Sequence, residues 1–430
     1  MPWPPAEANR EAGDETGAAL GEERSSPASR SIPGWWRAKN LGRSFFIFLS
    51  ASCLFNIGMF MFVLLYNLYL LDIGYREDFL GWMSSATTAG NMIGTVLAVI
   101  LIRRIGLQRS VIVCFAATAT IAAMRSVVVG QVALLSLAFA AGLFFALWAI
   151  SITVIVAEVT TAKIRPFAFS VYLSTVIGIG IIAEPAGGHL PLWLNRLFGP
   201  TGPAQSKQWA LLVSAAIVSL AVWPAIYLRL PEASKDSPAS YPRSSFVIRF
   251  LSAVAVLNLA TAAFNPFANT YFASYLKMQP QHIGLVFSGG QLAQVIAILL
   301  SPLILKRFGM IWGIVIMELA AGLSLSTLAI GPPVLAATLA FAGYMAFQWM
   351  DEPAMESLLM TKVQPHERSG ASAMMYMVIF ASGAVAAPVA GAGIASFGYP
   401  PVIVVASFLL LLGALLFGCL LRRTGSDAPG

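Results

Sequence analysis

One stretch, residues 48–106, constrains the fold more than any other because it occurs twice. FLSASCLFNIG at 48–58 returns as FLSAVAVLNLA at 250–260, a separation of 202 that also pairs Asn56 with Asn258, Asn67 with Asn269 and Tyr69 with Tyr271. After a one-residue insertion the separation is 203, pairing Gly81 with Gly284 and Arg104 and Gly106 with Arg307 and Gly309. Farther on, Gly142 and Trp148 match Gly343 and Trp349 at 201, and Gly180, Pro185 and Gly188 match Gly383, Pro388 and Gly391 at 203. A register held across separate polar and glycine positions marks a duplicated half.

The duplication sits in a chain that is 58% hydrophobic and 10% charged, with a mean hydropathy of +0.78. That leaves too little polar surface to cover a soluble globule, so the class is an integral membrane protein. The net charge of +7 lies in short clusters between apolar runs and forms no basic face, which argues against nucleic acid as a partner. Cys53, Cys114 and Cys419 all fall inside apolar runs without metal-ligand spacing, so neither a disulfide framework nor a metal site is expected.

A spanning helix needs roughly 20 apolar residues. Twelve segments qualify: 45–71, 79–102, 109–129, 131–158, 166–190 and 207–229, then 247–275, 282–305, 309–330, 334–360, 369–395 and 400–421. The expected organisation is a disordered cytosolic tail over 1–42, a six-helix bundle over 43–230, a Pro- and Ser-rich linker over 231–246, a second bundle over 247–422 and a short tail over 423–430. The first segment lacks the basic start and apolar core of a secretory signal. With both termini in the cytosol, only Arg76, Arg125, Arg196, Lys207 and Lys277 of the 26 basic residues face outward, as the positive-inside rule requires. An even number of spans per half makes the repeats parallel, related by an axis along the membrane normal. The expected location is the cell membrane, the inner one if the source is bacterial, and a monomer suffices.

Twelve spans, a six-plus-six parallel repeat, a charged central linker and basic-glycine turns after the second and eighth spans resemble the major facilitator superfamily of secondary transporters. The resemblance covers roughly residues 43–422 and implies an all-α membrane protein of two six-helix bundles, transporting by alternating access. The family's loop motif, Gly-x-x-x-Asp-Arg-x-Gly-Arg, is met in part: Arg104 and Gly106, and Arg307 and Gly309, fit, whereas Arg103 and Lys306 replace its aspartate and Val99 and Pro302 its first glycine. These loops read as cytosolic anchors or as gates. The fifth-span motif of drug–proton antiporters, Gly-x-x-x-Gly-Pro-x-x-Gly-Gly, is met at Gly180, Pro185 and Gly188, with Glu184 and His189 in place of glycines. It is echoed at Gly383, Pro388 and Gly391. The motif favours efflux weakly, against helix packing in any such transporter.

Ionisable groups at bilayer depth are costly and mark function. Asp351 and Glu352 lie roughly 15 Å from the cytosolic edge of the tenth span, beside Pro353, which breaks the helix there. A carboxyl held away from water is suited to load and release a proton, so either is a candidate for coupling, against a structural pair. Glu184 is a third candidate, against a hydrogen-bonded residue at a helix break. Glu318, in the middle of the ninth span, is expected to turn inward and pair. Glu356 is expected at a cavity mouth, and Arg125 to snorkel to the outer surface.

The resemblance places the first and seventh spans at the central cavity, which makes Asn56, Asn67, Asn258, Asn265 and Asn269 substrate candidates, or bonds between helices. Gln291 and Gln348 add polar groups, and Trp148 and Trp349 offer rings that stack on a substrate or fill the core.

The expected function is transport of a small organic solute, coupled to protons, with an ion-independent uniporter or a non-transporting sensor on the same scaffold as alternatives. An enzyme is not expected: His189, His282 and His366 are scattered, and no phosphate-cradling loop occurs, so no cofactor is implied.

Overall fold

In lipid every backbone polar group must be satisfied within its own segment, so apolar runs of this length become helices. The computed structural model describes residues 41–161, 164–228, 230 and 241–422. The expected amino-terminal tail up to residue 40, most of the linker and the closing tail lie outside them. Among the described residues eleven helices are long and apolar enough to cross a membrane: Arg43–Asp72, Glu77–Ile105, Leu107–Val127, Gln131–Val159, Phe167–Phe198, Pro203–Ile226, Ser245–Tyr275, Pro280–Phe308, Met310–Ala329, Gly370–Phe397 and Tyr399–Arg422. The twelfth crossing, tenth in order, is split into Val334–Met350 and Glu352–Lys362, with Asp351 at the break.

Two breaks follow from proline. Pro353 has no N–H to give to the carbonyl four residues back, and the tenth span parts there. Pro266 does the same in the seventh span, where Asn265–Phe267 tightens into a 3₁₀ turn and Tyr271–Tyr275 then widens into a π turn. The first of these breaks was expected; the second was not. Gly106 and Gly309 each form a one-residue connection with φ of 83° and 77°, a backbone that only glycine adopts readily, so the glycine shared by the two loop motifs has a local structural reason.

The repeat extends to packing. In the first half, the first span packs on the fifth and sixth, and the fourth on the second and third; in the second half, the seventh packs on the eleventh and twelfth, and the tenth on the eighth and ninth. Each half has its own aromatic core. Trp148 is buried against Phe48, Phe55 and Phe115, with ring centroids 6.0, 5.3 and 4.8 Å away. The second half has a different cluster at another level, centred on Phe264, Phe341 and Tyr344.

The halves meet on the side away from Arg43 and Arg422, from the helix ends down to about mid-helix, through the second span on the eleventh and the fifth on the eighth. Glycine makes this possible. A methyl group added at Gly81 would stand 2.5 Å from the Ala387 carbonyl oxygen, and one at Gly284 would overlap the carbonyl of Glu184, the repeat counterpart of Ala387. Gly391 against Glu77 and Gly188 against Pro280 form the second equivalent pair. Ser85 donates to the Ala384 carbonyl at 2.6 Å and Ser288 to that of Ile181 at 2.7 Å, again equivalent. Between the first and seventh spans, Asn67 Nδ2 donates to the Pro266 carbonyl at 2.8 Å and Asn269 Nδ2 to that of Leu64 at 2.9 Å. Both donors and both acceptors are 202 residues apart, so the clasp is reciprocal about the pseudo-two-fold axis.

Overpacking so close a contact costs about 1–3 kcal/mol. Gly81→Ala and Gly284→Ala are therefore expected each to loosen the seal by that amount, read as faster thiol labelling of a cysteine placed at Ala384 or Ile181, with the opposite end of each bundle unchanged.

Candidate coupling and substrate site

The sequence puts Asp351 next to Glu352, but the helix break sends them apart. Asp351 is fully buried and Glu318, from the middle of the ninth span, is 3% exposed. Their carboxyl groups interact with each other, and neither Asp351 oxygen nor Glu318 Oε2 meets a donor from elsewhere. On the eighth, ninth and tenth spans Ala297, Met317, Ala346 and Met350 form a buried apolar cluster. Among the described residues the single ion pair is Lys207 with Asp72, far from this site, so no cation neutralises the two acids. Glu352 instead is exposed, beside Glu356, whose Oε1 accepts from the Tyr376 hydroxyl at 3.3 Å.

Tyr344 lies seven residues before Asp351, two turns along and on the same face. Its ring is fully buried, its hydroxyl lies within the field of Glu318, and it donates to Asn265 Oδ1 at 2.6 Å. Asn265, exposed at the seventh-span break, also reaches Gln348 Oε1 at 3.5 Å. A line of polar groups thus runs from the open face of the broken seventh span to the buried acids.

Next to that break lies a cavity of about 300 Å³, walled by the first, second, third and fourth spans and Pro266 of the seventh. Apolar walls come from Met59, Phe62, Val63, Leu80, Met83 and Phe145. Its polar lining is Tyr66, Asn67, Ser84, Thr87, Asn91 and Arg125. Arg125 does not snorkel outward: its guanidinium lies over the Tyr66 ring at 4.0 Å and near that of Phe62 at 5.6 Å. A groove of about 370 Å³ between the seventh, eleventh and twelfth spans is lined by aliphatic and aromatic side chains with no charged group among them, the form of a lipid-facing surface.

The remaining candidates separate into structural roles. Asn56 and Asn258 donate to the carbonyls of Ser52 and Val254 on their own helices, at 2.8 and 2.9 Å. Asn67 and Asn269 form the clasp. Trp148 is core, so its ring has no face to offer a substrate, whereas Trp349 is exposed. Gln291 Nε2 donates to Glu184 Oε1 at 2.8 Å across the fifth and eighth spans, both residues being buried. Gly180, Pro185, Gly188, Gly383, Pro388 and Gly391 are the backbone of the seal itself. Arg103, Arg104, Lys306 and Arg307 are exposed or half-buried, and Arg307 lies over Phe308 at 5.4 Å. Sequence reasoning missed Tyr344, Tyr66 and Asn91; only the Asn-Pro step at 265–266 carried a signal, as a turn dipeptide inside an apolar run.

The model of the Major Facilitator Superfamily matches residues 46–257 and again 250–430. The chain belongs to this superfamily. Solved transporter structures superpose on it at low identity. A point mutant of the nucleoside transporter NupG has a TM-score of 0.75 at 16% identity, covering 88% of this chain and all of that one. A bacterial homologue of the human lysosomal transporter Spinster, inward-facing and unoccupied, scores 0.70 at 12%, covering 93% and 99%. A bacterial homologue of the iron transporter ferroportin, also inward-facing, scores 0.69 at 13%, covering 90% and 99%. No curated protein sequence matches significantly. The protein is a multi-pass membrane transporter, with the two-bundle superfamily fold.

Within this superfamily fold the two seal interfaces differ in their buried polar groups: where the fifth and eighth spans carry Glu184 and Gln291, the equivalent positions on the eleventh and second are Ala387 and Thr88. Gln291→Ala leaves the Glu184 carboxyl buried without a donor and is expected to cost about 1–3 kcal/mol in thermal unfolding. The double variant Glu184→Ala with Gln291→Thr copies the other interface and is expected to recover most of that loss.

Proposed function

We propose that this transporter moves a small organic solute by alternating access, coupled to protons at the Glu318–Asp351 pair. The observation that carries the reading is the pair itself: two buried carboxyl groups near enough to interact, with no cation paired to them. Two like charges in such a place are each costly to desolvate and repel one another, so the pair holds at least one proton while it stays closed. A site that must hold a proton in one conformation, and can release it when the bundles move and water enters, is a coupling device. Asn265 at the break of the seventh span and Tyr344 behind it link this device to the cavity where a solute would rest.

Assigning the termini to the cytosol by the positive-inside rule turns the glycine seal outward, and the structure becomes an inward-facing state of a cell-membrane transporter. The motif shared with drug–proton antiporters serves here as interface packing, a role independent of the direction of transport.

The test is flux in vesicles of defined internal pH, with proton release recorded as pooled metabolites are added to protein reconstituted in lipid. Asp351→Asn and Glu318→Gln, which keep shape and remove the titrating group, are expected to abolish flux driven by a pH gradient while leaving folded protein in the membrane. Glu352→Gln is expected to retain it. Unchanged flux in both Asp351→Asn and Glu318→Gln would overturn proton coupling at this pair.

A further inference from the structure

We infer that the cavity among the first four spans is a binding site for a monoanionic organic acid, held by its carboxylate at Arg125. The inference rests on the reading of this chain as a solute transporter and names the substrate class. Three observations converge. Arg125 brings a fixed positive charge into a cavity whose lining contains no Asp or Glu, and its partner in the structure is the face of Tyr66. Its Nε is enclosed without an acceptor. Two further groups on the same wall are unsatisfied: the Tyr66 hydroxyl and Asn91 Oδ1, in residues 3% and 7% exposed. Buried polar groups ordinarily find partners; the Arg125 Nε–H and the Tyr66 O–H are donors that a carboxylate completes, whereas Asn91 Oδ1 is an acceptor and pairs with a donor elsewhere on a ligand.

The chemistry selects the ligand. A guanidinium over a ring makes no hydrogen bond to it, so its N–H edge remains to match the two oxygens of a carboxylate. The Tyr66 O–H and the Ser84 hydroxyl lie on the same lining and supply further donors. One cation with no lysine beside it balances one negative charge; a dianion such as a phosphate monoester would leave an uncompensated charge in a low-dielectric site. A cation would meet Arg125 without any acid to offset it. The remaining wall, Met59, Phe62, Val63, Leu80, Met83 and Phe145, suits an apolar body, and about 300 Å³ is at the lower end of the range for small-molecule sites. Thioether and aromatic surfaces adapt to a flat ring.

The experiment measures equilibrium binding at one fixed pH to the full-length protein in nanodiscs, using four probes of one shape: benzoate, benzamide, benzylamine and phenyl phosphate. Benzoate is expected to bind best, with roughly ten- to hundredfold weaker binding in Arg125→Gln and a smaller loss in Tyr66→Phe, which removes one hydroxyl and leaves the ring under the guanidinium. Arg125→Lys is expected to recover part of the loss, which a purely structural arginine would not show in a charge-selective assay. Equal binding of benzamide and benzoate to the wild type, or benzoate binding unchanged in both Arg125→Gln and Tyr66→Phe, would overturn the inference. Asp351→Asn is expected to keep benzoate binding. Loss of proton flux without loss of benzoate binding therefore tests the coupling site alone, and the reverse result tests the anion site alone.

Discussion

The contact on which the rest of the structure depends is a glycine laid against a backbone carbonyl of the opposite half, made four times in two equivalent pairs. Gly81 and Gly391 close the second span on the eleventh, and Gly284 and Gly188 close the eighth on the fifth. In lipid there is no hydrophobic force between helices, so association rests on close van der Waals approach and on hydrogen bonds, and only small residues allow it. The serine bonds and the Asn67–Asn269 clasp add direction to that approach. An interface built in symmetric pairs has a simple way to open: each bundle rotates against the other and the equivalent contacts part together. Close packing makes such an interface two-state rather than gradually deformable.

On the proposed reading, function lies where the two copies stop matching. The seal glycines, serines and asparagines keep the repeat because both halves need the same contact. The buried acid of the tenth span does not: Asp351 stands where the first half has Ile150. Trp148 and Trp349 occupy matching positions, yet one is locked among three phenylalanine rings and the other, next to the last residue of its helix segment, is exposed. Glu184 and Gln291 replace Ala387 and Thr88 at a single level of the seal. A duplicated scaffold carries the motion, and unmatched polar groups carry the chemistry placed on it.

The fold was legible because its determinants are local and repeated. Each span is long, apolar and bounded by a polar or glycine turn, so the expected limits fall within a few residues of most observed ones; the fifth runs on past Pro191 to Phe198, beyond the expected 190. The site was legible only in part. Asp351 announced itself by depth and by Pro353, but its partner Glu318 lies on another span, and which face of a span meets which neighbour is not written in its pattern. These helices are apolar toward lipid and toward protein alike, so the stripe that orients a helix in a soluble protein is absent. Arg125 shows the same limit. One turn from the helix end, a local argument sends it to the surface; the Tyr66 ring that holds it inward belongs to the first span, some sixty residues earlier in the chain.

Arg125 and the Glu318–Asp351 pair lie in opposite halves of the membrane interior, and low dielectric treats them alike. Arg125 in the first half is fixed in charge and is offset only by polarisable rings, so a matching anion lowers its energy there. The acid pair in the second half can shed its cost without a partner, by keeping a proton. On the proposed reading this difference assigns the tasks: the group that cannot change its charge recruits the solute, and the group that can change it records which side of the membrane is open. Asn265 and Pro266 stand between them, one in the polar line toward Tyr344 and the other in the cavity wall and the clasp. The broken turn of the seventh span touches the solute cavity, the seal and the acid pair's relay together. A solute that orders this turn therefore acts on all three at once, which is the physical requirement for coupling binding, closure and proton release in a single step.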